Sequence, residues 1–217
     1  MGCLIVIDGL DGSGKNTQAT RLFHALEALG KRVRLVSFPD YESPACAPVK
    51  MYLGGTFGSD PESVNSYAAS TFFAVDRFAS FRLDWKKDYD EGAIIIANRY
   101  TTANAIHQLT KLPPEEHRAF LDWLYDFEFR KLGLPAPDLV LMLRVPVEKS
   151  LELIDHRGLD KDIHENRDHL QKAALAAATC AEAWGWETLS CVDADGKMLS
   201  VDEIGEHILR LVKEKLW

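Results

Sequence analysis

Gly9-Leu10-Asp11-Gly12-Ser13-Gly14-Lys15-Asn16-Thr17 is the first stretch of this chain whose residue types and spacing could do chemistry. Two glycines five residues apart, the second followed by lysine, let the backbone curl so that successive N–H groups point inward at phosphate oxygens. A helix beginning at the lysine adds partial positive charge at the same place, and Lys15 supplies a mobile cation for the terminal phosphates of a nucleotide. Gly9, Asp11, Gly12, Ser13, Gly14, Lys15, Asn16 and Thr17 are therefore candidate nucleotide-binding residues. The position after the lysine usually carries Ser or Thr, whose hydroxyl reaches Mg²⁺; here it is Asn16. An amide carbonyl still ligates a hard cation or holds its water, and Asp11 is the nearest carboxylate, so both are metal candidates.

Further along, Phe73 and Arg77 stand four apart in a helical pattern and share one face. An aromatic ring beside a guanidinium can stack on a base and donate to a carbonyl edge, although an ordinary amphipathic helix with Phe73 in the core gives the same pattern. Arg99 directly follows an apolar run, at the end of a strand where parallel sheets bind ligands. Asn104, His107 and Gln108 fall at i, i+3 and i+4 of a short helix. The segment from Arg157 to Arg167 is charged, contains a glycine and interrupts the apolar periodicity, as a solvated loop would.

The elements that must position these residues alternate along the chain. Apolar runs at 3–7, 33–38, 93–97, 139–145 and 188–192 read as strands buried on both faces. Helical stripes separate them: Ala19 to Leu29 closed by Gly30, a long segment from Pro61 to about Trp85, a helix opened by Pro113-Pro114, one from Pro146, an Ala-rich helix over 169–184, and a last one carrying Val201, Ile204, Ile208, Leu211 and Val212. Strands of this kind joined by helices predict a five-stranded parallel sheet with right-handed crossovers, a three-layer α/β/α domain over 1–217.

Bulk properties narrow the function. The formal net charge is −8, which argues against a nucleic-acid polymer as partner. Cys3, Cys46, Cys180 and Cys191 show no CxxC spacing, so buried thiols in a reducing compartment are expected rather than a zinc or redox site. No apolar run approaches the roughly 20 residues needed to span a bilayer, and a cytoplasmic location is expected. A GTPase would need an NKxD-like base-reading segment and a motor ATPase an apolar run ending in acidic residues. Neither is present.

Taken together, Asp11-Gly12-Ser13-Gly14-Lys15, Phe38-Pro39, Phe73-Ala74-Val75-Asp76-Arg77, Arg99-Tyr100 and Pro137-Asp138-Leu139 resemble, in order and spacing, the thymidylate kinases, P-loop nucleoside monophosphate kinases of the P-loop NTPase fold. The likeness runs over essentially the whole chain. It implies transfer of the γ-phosphoryl of ATP to dTMP, with Mg²⁺, in a cytoplasmic homodimer. It implies that Phe73 stacks on thymine, Arg77 reads its O4 edge, Arg99 holds the acceptor phosphate, and Phe38 borders that pocket. Asp11, Asn104, His107 and Gln108 would complete the dTMP site. Residues 157–167 would form a lid, with Arg157 on ATP, Lys161 and Arg167 as transfer cations and Glu165 helping to hold the metal. The chain departs from the family at Asn98, where Asp is usual, at His107, where Tyr is common, and in lacking an arginine soon after Phe38-Pro39. These departures leave two alternatives open: a kinase for another nucleoside monophosphate, or a nucleotide-binding regulator without catalysis.

Overall fold

The computed structural model describes residues 1–157 and 167–217. Its strands are β1 (Cys3–Gly9), β2 (Val33–Ser37), β3 (Ile94–Asn98), β4 (Leu139–Arg144) and β5 (Glu187–Ser190). All pair in parallel, in the order β2-β3-β1-β4-β5. The expected sheet is thus present, with each strand within about two residues of its sequence boundaries. Leu4, Ile5, Val6 and Ile7 are all fully buried, because both faces of β1 are covered.

Helices α1 (Lys15–Ala28) and α9 (Val201–Leu216) cover one face, packing Leu22, Leu26, Ile204 and Ile208 on Ile5, Ile7 and Leu141. The other face carries α3 (Ser66–Ser80), α5 (Thr101–Leu109), α6 (His117–Tyr125) and α8 (Arg167–Trp184), which close over Leu4, Val6, Ile95 and Met142. Shorter helices are α2 (Ala47–Leu53) and α4 (Lys86–Asp90), while α7 (Val147–Arg157) follows β4.

The segment expected to run as one helix from Pro61 to Trp85 is divided. Pro61–Ser63 forms a single tight turn, and α3 starts only at Ser66, where the Asn65 side chain accepts from the Ala68 N–H at 2.8 Å. The helix then passes through a π-helical turn, Phe81–Trp85, before α4. A second π-helical segment, Asp126–Lys131, continues α6. Cys46, Cys180 and Cys191 are buried, and burial pushes their thiols up, to about 12, 12 and 11. Such thiols are poor nucleophiles. Among the described residues no helix is long and apolar enough to cross a membrane.

After β1 the chain travels to β2 at one edge and returns through β3; after β3 it crosses to β4 on the far side of β1. That reversal opens a crevice at the carboxyl ends of β1 and β3. Ile7 lies opposite Asn98 in the register, so the loops after both strands leave the sheet side by side.

Candidate phosphoryl-transfer site

The glycine loop spans this crevice. Gly12 sits at φ 77°, and a Cβ there would lie 2.5 Å from the Ser150 carbonyl oxygen. Gly14 caps α1 at φ 79°. Both positions need the left-handed backbone that glycine alone adopts freely. Lys15 is buried, and its Nζ donates to the Leu10 carbonyl at 3.0 Å, closing the loop on itself.

Arg99 enters from the end of β3. Its φ is 63°, and its N–H donates to the Ile7 carbonyl at 3.0 Å, so the chain turns back over β1 as soon as the strand stops. The guanidinium then bonds through Nη2 to the Asp11 carboxylate and lies 3.9 Å from Asp8. Asp11 is also 3.5 Å from Lys15 Nζ. One carboxylate therefore holds both cations. Burial works to raise the Asp11 carboxyl, but Arg99 and Lys15 outweigh it and keep it well below the usual carboxylate range. Burial and the Arg99 charge bring the Lys15 ammonium down to about 8, against the opposing pull of Asp11 and Asp8.

A cleft of about 610 Å³ extends from this charge cluster between α3, α5 and the cis Phe38–Pro39 peptide. Of the residues singled out from sequence, Asp11, Gly12, Gly14, Lys15, Asn16, Phe38, Phe73, Arg77, Arg99, Asn104, His107 and Gln108 all line it. Gly9 and Ser13 are packed beneath the loop and Thr17 is exposed on α1. Arg157 ends α7, and its side chain, like Lys161 and Glu165, lies outside the described residues. Arg167 opens α8 and pairs with Glu148 at 3.1 Å.

Arg77 and Glu128 form a buried two-pronged pair, Nε–Oε2 2.8 Å and Nη2–Oε1 2.6 Å. Sequence reasoning passed over Glu128. The available signal was a carboxylate continuing the inward line of Phe120 and Leu124 at helical spacing. It also passed over His169, whose ring lies parallel to that of His107 and meets it edge to edge, with centroids 5.3 Å apart. Arg99 Nη1 meets His107 Nε2 at 3.1 Å, and His107 Nδ1 meets His169 Nε2 at 3.0 Å. A guanidinium only donates, so His107 accepts at Nε2 and donates its Nδ1–H to His169 Nε2. Burial lowers His169 to about 4, keeping it neutral in this row. Asp8, fully buried, accepts from Gly9 N–H at 2.8 Å and from Thr102, which fixes the loop's start to α5.

For a divalent metal, the donors at hand are hard oxygens. The Asn98 amide donates to Asn16 Oδ1 (3.3 Å) and Ser37 Oγ (2.9 Å), while its own Oδ1 is buried with no partner. The described residues hold no group of three or more His, Cys, Asp or Glu able to cage an ion. One carboxylate with neutral oxygens suits a cation that keeps its water and leans on substrate phosphates.

Comparison with known proteins agrees with this geometry. The family model for thymidylate kinase matches residues 7–203. The thymidylate kinase of Mycobacterium tuberculosis is 32% identical over 192 residues, covering 84% of this chain and 87% of that protein. The enzyme of Caenorhabditis elegans is 29% identical over 214 residues, covering 93% and 87%. The solved thymidylate kinase of Candida albicans superposes with a TM-score of 0.72 over 98% of this chain and 92% of that one, at 22% identity, which speaks for the fold. A phosphate loop and an arginine brought together on one carboxylate, with a base-sized cleft beside them, thus stand in a chain that belongs to the thymidylate kinase family.

Proposed function

We propose that the protein transfers the γ-phosphoryl group of ATP to dTMP, giving ADP and dTDP, and that residues 1–217 act as one unit. The observation that carries this is the convergence of Lys15 and Arg99 on Asp11 at the mouth of the cleft. Phosphoryl transfer asks the protein mainly for in-line placement and charge neutralisation. Backbone N–H groups of Gly12 to Lys15 and the Lys15 ammonium would take the donor phosphates. Arg99 would take the acceptor phosphate, exchanging Asp11 for it. Both exchanges keep each buried charge paired, which limits their cost. Phe73 supplies a stacking face, Arg77 and Asn104 the base edge, Phe38 a wall, and His107 with Gln108 the sugar end.

Mg²⁺ would be held by Asp11 with the amide oxygens of Asn16 and Asn98, and by Glu165. When bound it neutralises charge on the phosphates. Arg157, Lys161 and Arg167 would act from a lid at about 157–167, excluding water. A homodimer is supported by an exposed apolar stripe on α3, Tyr67, Val75 and Phe78, continued by Leu83, which is 87% exposed. A cytoplasmic location follows from the substrates.

A second reading, a kinase for another nucleoside monophosphate, is favoured by His107 at the sugar end. Turnover of dTMP, dUMP, dCMP, dGMP and UMP with ATP and Mg²⁺, followed as ADP release, separates the two. Preference for dTMP is expected. Faster turnover of another acceptor would transfer the assignment to it, and no ADP release with any of the five would remove kinase activity altogether.

A further inference from the structure

Glu128 does not line the cleft, yet two of the residues that do depend on it. It is completely buried, and its carboxylate accepts from Arg77 Nε and Nη2, from Thr101 Oγ1 at 2.7 Å and from Asn104 Nδ2 at 3.4 Å. We propose that Glu128 is a positioning residue that sets which pyrimidine the acceptor site takes, by fixing Arg77 as the donor and Asn104 as the acceptor facing the cleft. This rests on the reading of that cleft as the acceptor site.

The argument is one of hydrogen-bond polarity. With Nε and one Nη2 hydrogen held by Glu128, Arg77 keeps a second Nη2 hydrogen and Nη1, which meets the Tyr100 carbonyl at a long 3.4 Å. Both nitrogens can only donate. The Asn104 side chain has the Ser70 carbonyl at 3.2 Å and Glu128 Oε1 on the same side. Both are acceptors, so the amide nitrogen must face them and Oδ1 is left for the cleft. The Glu128 carboxylate, already accepting from Arg77 and Thr101, adds a second acceptor beside the Ser70 carbonyl and fixes this orientation. A donor followed by an acceptor complements the imide edge of thymine or uracil, where a carbonyl oxygen adjoins an N–H. Cytosine presents an amino group next to a bare ring nitrogen, the opposite polarity, and would leave two buried polar groups facing like partners.

Glu128→Gln places a donor where only acceptors stood, which sets an N–H against Arg77 or Asn104 and leaves the Ser70 carbonyl alone to hold the Asn104 amide. The test is the ratio of kcat/KM for dTMP to that for dCMP, which cancels any difference in the active fraction of enzyme. The ratio should fall at least ~tenfold in Glu128→Gln, with KM for dTMP raised, KM for ATP unchanged and kcat within about threefold of wild type. Glu128→Asp, which keeps an acceptor-only group, should retain most of the ratio. Should Glu128→Gln fail to fold, Thr101→Val, which removes one bond from the carboxylate, should lower the ratio by roughly two- to fivefold. An unchanged ratio in Glu128→Gln, or in Thr101→Val where that is the variant measured, overturns the proposal. Absence of dTMP turnover in the wild type would instead remove the acceptor reading beneath it.

Discussion

Asp11 and Arg99, 88 residues apart in sequence, share a charge-assisted hydrogen bond, and the same Asp11 carboxylate lies 3.5 Å from Lys15 Nζ. The pairing follows from the sheet. β1 and β3 are neighbours in register, so the loop after one and the first residue after the other have nowhere to go but toward each other. Two cations placed this close would repel in a buried site; the carboxylate between them makes the arrangement tolerable until phosphates replace it.

Lys15→Ala removes the one cation of the phosphate loop. Turnover should drop by about 10²–10³-fold, the usual effect of deleting a group aimed at developing charge. The fold should remain, because Lys15 contributes no apolar packing, and thermal unfolding should be little changed. Steady-state rates within tenfold of wild type would show that phosphate is held elsewhere.

Lys15 also predicts a basic limb in the pH profile. With its ammonium lowered to about 8 by burial and Arg99, the free enzyme loses that charge above pH 8. The value of kcat/KM for ATP reports the free enzyme, so it should be level near neutrality and fall about tenfold per unit well above pH 8. A profile still level at pH 9.5 would contradict the burial of this lysine beside Arg99.

Arg77→Ala should cost more than acceptor binding. It leaves Glu128 buried without its counter-charge, a change worth about 3–5 kcal/mol and, in a chain of this size, on the order of 10 °C in thermal midpoint. Replacing both partners together with apolar residues of similar volume (Arg77→Met with Glu128→Leu) should recover much of the stability but not the dTMP affinity. Calorimetry of the single and double variants decides the matter, and a single variant as stable as wild type would show the pair to be dispensable.

His169 should make the protein acid-sensitive. Its folded value of about 4 lies below the ordinary 6.5 because burial, aided by Lys111 and Lys172, opposes the charge against the weaker pull of Asp11 and Asp168. The unfolded chain therefore binds more protons between these two values. Stability contributed by the neutral ring is complete above pH 6.5 and lost as pH falls toward 4, up to about 3 kcal/mol. Denaturant unfolding of His169→Gln should show a shallower decline over that window; equal slopes would remove the assignment.

What was legible in the sequence was what local pattern encodes. β1 and the glycine loop announce themselves because an apolar run, three glycines and a lysine are contiguous. The sheet was readable because its central strands β1, β3 and β4 are apolar on both faces. The edge strands β2 and β5, expected to be buried likewise, instead leave Ser37, Thr188 and Ser190 exposed, because among the described residues nothing pairs with their outer edges. The divided helix after Pro61 was not, since its start depends on the Asn65 cap and its end on a π-helical turn, neither of which disturbs the apolar period. Glu128 and His169 were hidden for another reason. Each looks like an ordinary polar residue on a helix until the fold brings Arg77, 51 residues before Glu128, and His107, 62 before His169, against them. Asn98 and Asn16 read as two separate departures, and the fold joins them in one hydrogen bond.

The left-handed turn at Arg99 places two demands on a single position. A glycine would suit the backbone best there, and every other L residue carries a standing cost of roughly 1 kcal/mol or more; yet only a side chain with a forked cation reaches both Asp11 and His107. The two requirements cannot be improved separately. Any drift toward an easier backbone discards the cation, and any other charged residue keeps the conformational burden while losing the fork. Efforts to raise the thermal tolerance of this chain should therefore leave residue 99 alone and look to the helix ends and the outer surface instead.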